Sequence, residues 1–215
     1  MSTSERGRPA VLRIAGARCS VGRHRIFSGL DLEVRAGERV HLDGPNGSGK
    51  TTVLRCVGGT MCLDRGRIQI GGAPAGSGRA RALTGLCVDP EQGLYPRLSG
   101  HDNLLFAARL RMPAGQVGDA VDLVERELAI TPFAARPAHD YSAGMRARVT
   151  VARALLGGPA VLLLDEPTRS LDADGRVLFW AALDRRPDVA CLIASHLPGD
   201  RDRCDRSLDL SERPR

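Results

Sequence analysis

The amino-acid sequence predicts an α/β domain: a mainly parallel sheet, a small antiparallel β layer near the N-terminus, and a helical insertion. Three observations carry this. Val161–Asp165 and Val189–Ser195 are almost continuously apolar, as expected of parallel strands covered on both faces by helices. The earlier segments Val11–Ile14, Leu30–Val34, Arg39–Asp43 and Arg67–Ile70 alternate more and are joined by short glycine-bearing turns, the pattern of an antiparallel layer. The stretch from about 94 to 150 reads as helical throughout and is expected to form its own lobe.

In chain order, residues 1–10 are expected to be a disordered N-terminus. Their arginines are followed by no hydrophobic segment, so they do not read as a secretory signal. Residues 11–215 are expected to form one domain, with its helical subdomain at about 94–150. Gly71–Ala82, rich in Gly, Ala and Arg, reads as a mobile surface loop, and Leu83–Val88 as a further strand. Gln116–Leu128 sets Val117, Val121, Val124 and Leu128 on one helical face, and Met145–Leu156 does the same with Met145, Val149, Ala152 and Leu156.

The chain has 215 residues, 42% hydrophobic and 26% charged, an ordinary globular composition that excludes collagen-like, disordered and coiled-coil readings. A chain this long buries roughly 70% of its unfolded surface. No apolar run approaches the ~20 residues a membrane-spanning helix needs. The six cysteines (Cys19, Cys56, Cys62, Cys87, Cys191, Cys204) form no CxxC pair and read as free thiols in a reducing compartment.

The formal charge is +6, which suits nucleic acid, an anionic surface or a phosphate-bearing ligand. Aromatics at 3% argue against a base-stacking platform. Of the 31 Lys and Arg residues, Lys50 is the only lysine.

That lysine lies in Gly44-Pro-Asn-Gly-Ser-Gly-Lys-Thr51, which satisfies G-x-x-x-x-G-K-[ST] between a strand and a helix. The glycines let the backbone wrap so that successive N–H groups face phosphate oxygens. Lys50 is then placed to reach the outer phosphates, and the Thr51 hydroxyl to ligate Mg²⁺. A second signal is Val161-Leu-Leu-Leu-Asp165-Glu166-Pro167. An apolar strand ending in Asp165 delivers a carboxylate to the carboxyl edge of a parallel sheet, where it can hold Mg²⁺. Glu166 can polarise a water for in-line attack on a γ-phosphate.

The remaining motifs resemble ATP-binding cassette (ABC) ATPases. Tyr141-Ser-Ala-Gly-Met145 with Arg146–Leu156 is similar to the signature motif and its helix. Ser170-Leu171-Asp172 resembles the D-loop, and Ser195-His196 after an apolar strand resembles the switch histidine. The resemblance runs from about residue 11 to 210 and implies a P-loop NTPase (RecA-like) core with a helical signature subdomain. It implies that Gly44, Pro45, Asn46, Gly47, Ser48, Gly49, Lys50, Thr51 and Thr52 bind ATP, with Thr51 and Asp165 at Mg²⁺. Glu166 would be the catalytic base, with Lys50 and His196 at the γ-phosphate. Ser142 and Gly144 would contact the nucleotide of an opposite subunit in a head-to-tail homo- or heterodimer.

Three positions depart from the family pattern. Val21 stands where an adenine-stacking ring is usual, which implies weaker stacking and looser nucleotide choice. The signature reads Ser-Ala-Gly-Met rather than Ser-Gly-Gly-Gln. In the Q-loop, Pro90 falls at the glutamine position, so Glu91 or Gln92 takes over the metal contact, Gln92 being the ligand carried forward.

The resemblance implies an ATPase driving export through a separate polytopic membrane subunit that docks near Glu91–Leu98 and Leu104–Leu110. Leu94, Tyr95 and Leu98 are its candidate contacts. The expected location is cytoplasmic, peripheral on the inner face of the membrane, with no direct nucleic-acid partner. Export rather than import is expected because the chain ends soon after His196. The alternatives are a heme-exporter-type ATPase, a soluble ATPase acting on nucleic acid or ribosomes, and a weakly hydrolysing regulatory or self-protection subunit.

Overall fold

The computed structural model describes residues 8–88 and 93–211. Two sheets organise them. The antiparallel sheet has the order β2 (His24–Arg35), β1 (Ala10–Val21), β4 (Arg65–Ile70), β5 (Ala73–Pro74). The parallel sheet has the order β6 (Thr84–Cys87), β7 (Val161–Asp165), β8 (Ala190–Ala194), β3 (Arg39–Asp43), β9 (Arg206–Asp209). The mixed α/β class, with a parallel core and an antiparallel layer, is the one the sequence predicts. Arg39–Asp43, grouped with the antiparallel layer from its sequence, is instead β3 of the parallel sheet, pairing parallel with both β8 and β9.

The strands β7 and β8 are apolar at nearly every position because each serves two cores. In β7, Val161 and Leu163 join the core shared with the antiparallel sheet, while Leu162 and Leu164 join the core of the helical side. In β8, Ala190, Leu192 and Ala194 face the first core, and Cys191 and Ile193 the second. Opposite faces alternate with period two, so two buried faces erase the alternation.

The first core sandwiches α1 (Lys50–Val57), through Val53, Leu54 and Val57, between the two sheets. The second gathers α3 (Gly100–Arg109), α4 (Val117–Glu127), α5 (Ala143–Leu155) and α6 (Ala173–Asp184). In α4, Val117, Val121 and Val124 are buried as the spacing predicts, and Leu128 caps the same face. Tyr141 locks this lobe: its hydroxyl accepts from the Gly100 N–H at 2.9 Å and donates to the Phe133 carbonyl at 3.0 Å. Burial pushes the Tyr141 phenol pKa up. A Cβ on Gly100 would stand 2.3 Å from that hydroxyl, so the contact needs glycine.

The structure corrects several sequence expectations. The first two strands are longer than Val11–Ile14 and Leu30–Val34 because bulges break their alternation. The β1–β2 register shifts between Ile14 and Ala17, where Gly16 takes φ 55° and its N–H donates to Asp31 Oδ1 at 2.7 Å. Ala10, placed in the N-terminal tail from the sequence, already pairs with Arg35. Gly71–Ala82 is no simple loop: it holds β5 and a short helix, α2 (Gly78–Ala82). Ser77 caps α2 by accepting from the Ala80 N–H at 3.2 Å, and Ala80 is buried in the first core. No periodicity within those residues announces either element, since their order comes from what they pack against. β9, with the charged sequence Arg-Ser-Leu-Asp, is an edge strand that sequence patterning missed.

At the opposite end of the parallel sheet, Arg39 and Arg203 donate to the Asp184 carboxylate at 2.8 and 2.7 Å and lie over the Trp180 ring. The Arg39 hydrogen bond, first, holds the Asp184 carboxyl below its ordinary range. A depressed pKa contributes stability above the ordinary carboxylate range, and that contribution is lost as pH falls through the depressed value. Asp184 is half exposed, so the effect is modest. Asp184→Asn should lower the melting midpoint by about 2 °C at neutral pH, and the deficit should fade as the pH drops below the ordinary carboxylate range when thermal melts are compared across pH.

Candidate functional site

The order β7–β8–β3 sets three strand ends side by side, and the loop after each carries a predicted site residue. They line a cleft of about 980 Å³ at the carboxyl edge of the parallel sheet, where such sheets hold ligands. Asn46, Gly47, Ser48, Gly49, Lys50, Thr51, Thr52, Asp165, Glu166 and His196 all face it.

Positive φ angles build the loop from Gly44 to Gly49: 138° at Gly44, 80° at Gly47 and 98° at Gly49. At Gly44 and Gly49 space is short as well. A Cβ would stand 2.6 Å from Ser48 Oγ at Gly44 and 2.5 Å from Ile26 Cγ2 at Gly49. Gly49 is the N-cap of α1, so no side chain caps the first turn and no acidic residue sits in it. The backbone donors and the positive end of the helix dipole are thereby left to an anion. Ser48 Oγ is buried without a hydrogen-bond partner among the described residues, a second polar group aimed into the loop. Lys50 is buried, and its ammonium donates to the Gly44 and Pro45 carbonyls at 2.5 and 3.2 Å. Gly44 and Pro45 thus support the cleft through Lys50 rather than line it.

The metal-ligand candidates Thr51 and Asp165 meet directly: Thr51 Oγ1 donates to Asp165 Oδ2 at 2.6 Å. One alcohol and one carboxylate are hard oxygen donors. A two-oxygen protein set leaves the remaining positions to phosphate and water, which suits Mg²⁺ rather than a softer ion. Among the described residues no group of three or more His, Cys, Asp or Glu forms an all-protein metal cage.

Glu166 is held in an unusual backbone conformation, φ 47°, with its N–H donating to the Ala194 carbonyl at 2.7 Å. Left-handed backbone costs an L-residue roughly 1–2 kcal/mol, and such strain collects at working sites. The same hydrogen bond ties the loop after β7 to the end of β8. The Glu166 side chain is mostly covered and faces His196: its Oε2 accepts from the His196 N–H at 3.4 Å, and Oε1 lies 3.6 Å from His196 Nε2.

Ser142 and Gly144 lie outside this cleft. Ser142 is the exposed N-cap of α5, its hydroxyl accepting from the Met145 N–H at 3.2 Å. Gly144 sits against the loop after β7, where a Cβ would stand 3.0 Å from the Ser170 carbonyl. Arg148 of α5 reaches that loop too, pairing with Asp172 at 3.0 Å. The Gly175 N–H, first, and then Arg148 lower the Asp172 pKa. Pro90, Glu91 and Gln92 lie outside the described residues.

Val21 is half exposed at the end of β1 and does not line the cleft; Ile26 does, beside Gly49. Sequence reading missed Ile26 because the strand it expected began only at Leu30, whereas β2 starts at His24. Arg55 and Arg169 also line the cleft and add positive charge.

A second cleft of about 600 Å³ lies between α2, α3 and Arg153. Tyr95 and Phe106 meet there edge to face at 5.1 Å, both about half exposed, and Leu110 is 72% exposed. Of the contacts expected on this side, Tyr95 and Leu98 are exposed, whereas Leu94 packs on the helical core. Phe106 and Leu110 extend the same apolar surface.

Residues 27–169 match the family model described as ABC transporter. The chain is 36% identical over 196 residues to the cytochrome c biogenesis ATP-binding export protein CcmA of Cupriavidus necator, spanning 89% of this chain and 86% of that one. It is also 36% identical over 180 residues to a Nod factor export ATP-binding protein of Ralstonia nicotianae, covering 82% of this chain and 56% of the relative's length. Among solved structures, an ATP-binding subunit of an ABC transporter superposes with a TM-score of 0.87 at 23% identity, covering 94% of this chain and 86% of that one. The dimeric post-hydrolysis state of the ATP-binding cassette MJ0796, bound to ADP and Pi, gives 0.84 at 20% identity, covering 93% and 94%.

If the left-handed backbone at position 166 is strained, a residue that tolerates it should stabilise the fold while removing the carboxylate. Glu166→Asn should melt at or above the wild-type midpoint and lose about a hundredfold or more in ATP turnover, measured by thermal melts and phosphate release.

Proposed function

The chain belongs to the ABC transporter family, as an ATP-binding subunit that hydrolyses ATP, and from this premise we propose how its residues divide the work. The observation that carries the reading is the convergence of the glycine loop, the Thr51–Asp165 hydrogen bond and the Glu166–His196 pair in one cleft.

The free backbone N–H groups between Asn46 and Thr52 and the Ser48 hydroxyl bind the phosphates of ATP, with Gly44 and Pro45 shaping the loop and supporting Lys50 through their carbonyls. Lys50 exchanges its bonds to the Gly44 and Pro45 carbonyls for phosphate oxygens. Thr51 and Asp165 would hold Mg²⁺, with Gln92 a further candidate. When bound, that ion neutralises charge on the outer phosphates. Glu166 accepts the proton of the attacking water, and its covered carboxylate excludes competing solvent on one side. His196 contacts the γ-phosphate.

Within one chain, Ser142 and Gly144 lie away from the cleft, with Gly144 against the loop carrying Ser170, which lines it. That placement supports a head-to-tail pair, homo- or heteromeric, in which the exposed start of α5 closes on the partner's nucleotide. No described helix is long and apolar enough to cross a membrane. The apolar surface of Tyr95, Phe106 and Leu110 supports docking of a separate membrane subunit and a peripheral position on the inner face of the membrane. The names of the export-type relatives support export. A substrate of cytochrome c biogenesis is a second reading, favoured by the relative of that name spanning most of both chains.

Lys50→Ala should abolish turnover and weaken ATP binding at least about tenfold by equilibrium titration. Glu166→Gln should instead retain ATP and shift to a dimer on gel filtration in its presence. A Glu166→Gln protein that stays monomeric with ATP rules out the two-subunit site for a homomeric assembly. Affinity purification of the tagged wild-type chain in mild detergent should recover a polytopic membrane protein in near-equal amount. Recovery of ribosomes or nucleic acid without one overturns the transport assignment.

A further inference from the structure

The loops after β7 and β8 are joined a second time, behind the cleft. Thr168 stands just beyond Glu166 and Ser195 just before His196, and both are buried. Their hydroxyls donate to the same oxygen, Oδ2 of Asp200, at 2.6 Å each. Asp200 is 2% exposed and lies in the short helix α7 (Pro198–Arg201). Ser195 Oγ in turn accepts from the Leu197 N–H at 3.1 Å, bracketing His196.

Two further contacts extend the arrangement to the phosphate loop. His41 Nε2, buried in β3, lies 3.0 Å from the Ser195 carbonyl; a carbonyl only accepts, so Nε2 carries the proton. Arg201, next to Asp200, pairs with Asp43 Oδ2 at 3.0 Å, and Asp43 Oδ1 accepts from the Gly44 N–H at 2.8 Å. One turn of helix therefore grips the loop of each of the three central strands.

The exposed contact between Glu166 and His196 is long, and His196 is half exposed, so it is too weak to set their separation. The buried bonds are short and dry. A hydroxyl that lost its acceptor there would have no water to replace it, so the arrangement resists slippage. We propose that Asp200 is a positioning residue for ATP hydrolysis, a buried clamp that fixes the Glu166 loop against the His196 loop through Thr168 and Ser195. This rests on the roles given to Glu166 and His196 above.

The test uses the full chain carrying Thr168→Val, Ser195→Ala, both together, and Thr168→Ser. Valine keeps the shape of threonine without its hydroxyl, and serine keeps the hydroxyl. Steady-state kcat and KM for ATP, equilibrium binding of a fluorescent ATP analogue, and melting midpoints are measured for each. Each single variant should lower kcat about tenfold with KM and nucleotide affinity within about twofold of wild type, because ATP is held by the glycine loop and not by the clamp. The double variant should fall no more than about threefold below the weaker single, since a clamp with one jaw gone has already failed. Thr168→Ser should recover turnover to within about threefold of wild type. Should Ser195→Ala fail to fold, the Thr168→Val and Thr168→Ser pair decides. Variants that melt lower but keep wild-type kcat overturn the clamp, as does a double variant about a hundredfold impaired, the product of independent losses. Wild type that binds and turns over no ATP overturns instead the reading of the cleft on which the clamp rests.

Discussion

Parallel pairing of β7, β8 and β3 is the constraint on which the rest of the molecule depends. Parallel strands end on the same edge, so three loops far apart in sequence are delivered to one place. The price of that arrangement is that every one of these strands must be covered on both faces. The antiparallel sheet and α1 cover one face and the helical lobe the other; β7 and β8 divide their side chains between the two cores, whereas β3 gives Val40 and Leu42 to the first. A disturbance in either core therefore reaches the cleft through the strands themselves.

Close approach of backbone governs the cleft in the same way. Gly44 and Gly49 permit the loop to wrap because a Cβ at either would meet Ser48 or Ile26. Gly144 does the same service for α5 against the Ser170 carbonyl. Where a side chain is chemically required, at Glu166, the chain accepts a left-handed backbone instead and anchors it with a short bond to the Ala194 carbonyl. The two ends of the parallel sheet differ: the left-handed backbone of Glu166 and the Ser48 hydroxyl, unpartnered among the described residues, lie at the carboxyl edge, while well-paired ions around Asp184 and Trp180 close the other.

The lone lysine in an arginine-rich chain has a physical account in this cleft. A compact ammonium on a flexible stem can be buried among loop carbonyls and turned onto a phosphate, whereas a planar guanidinium would need more room. Arg55 and Arg169 at the rim add charge without entering the loop, and so contribute to the net charge of +6 where an anionic nucleotide would feel it.

Much of this was legible in the sequence alone. The continuous apolarity of β7 and β8, the helical spacing in α4 and α5, and the glycine loop ending in Lys50 and Thr51 are local patterns, written by strand and helix periods and by the sterics of glycine. Asp165 and Glu166 followed from what stands at the end of β7, and His196 from the resemblance to ABC ATPases. Other features became visible only once the chain had folded. The bulge at Gly16 hid the true length of β1 by resetting its alternation, and α2 and β5 owe their order to burial that no internal periodicity encodes. Ile26 replaced Val21 as the apolar wall of the cleft because the hairpin, and not the residue count, decides which side chain reaches Gly49. Asp200, Thr168 and Ser195 carry no spacing signal at all: their meeting point is set by the lateral order of the strands, and the order of strands in a sheet is a property of tertiary packing rather than of any local stretch of sequence.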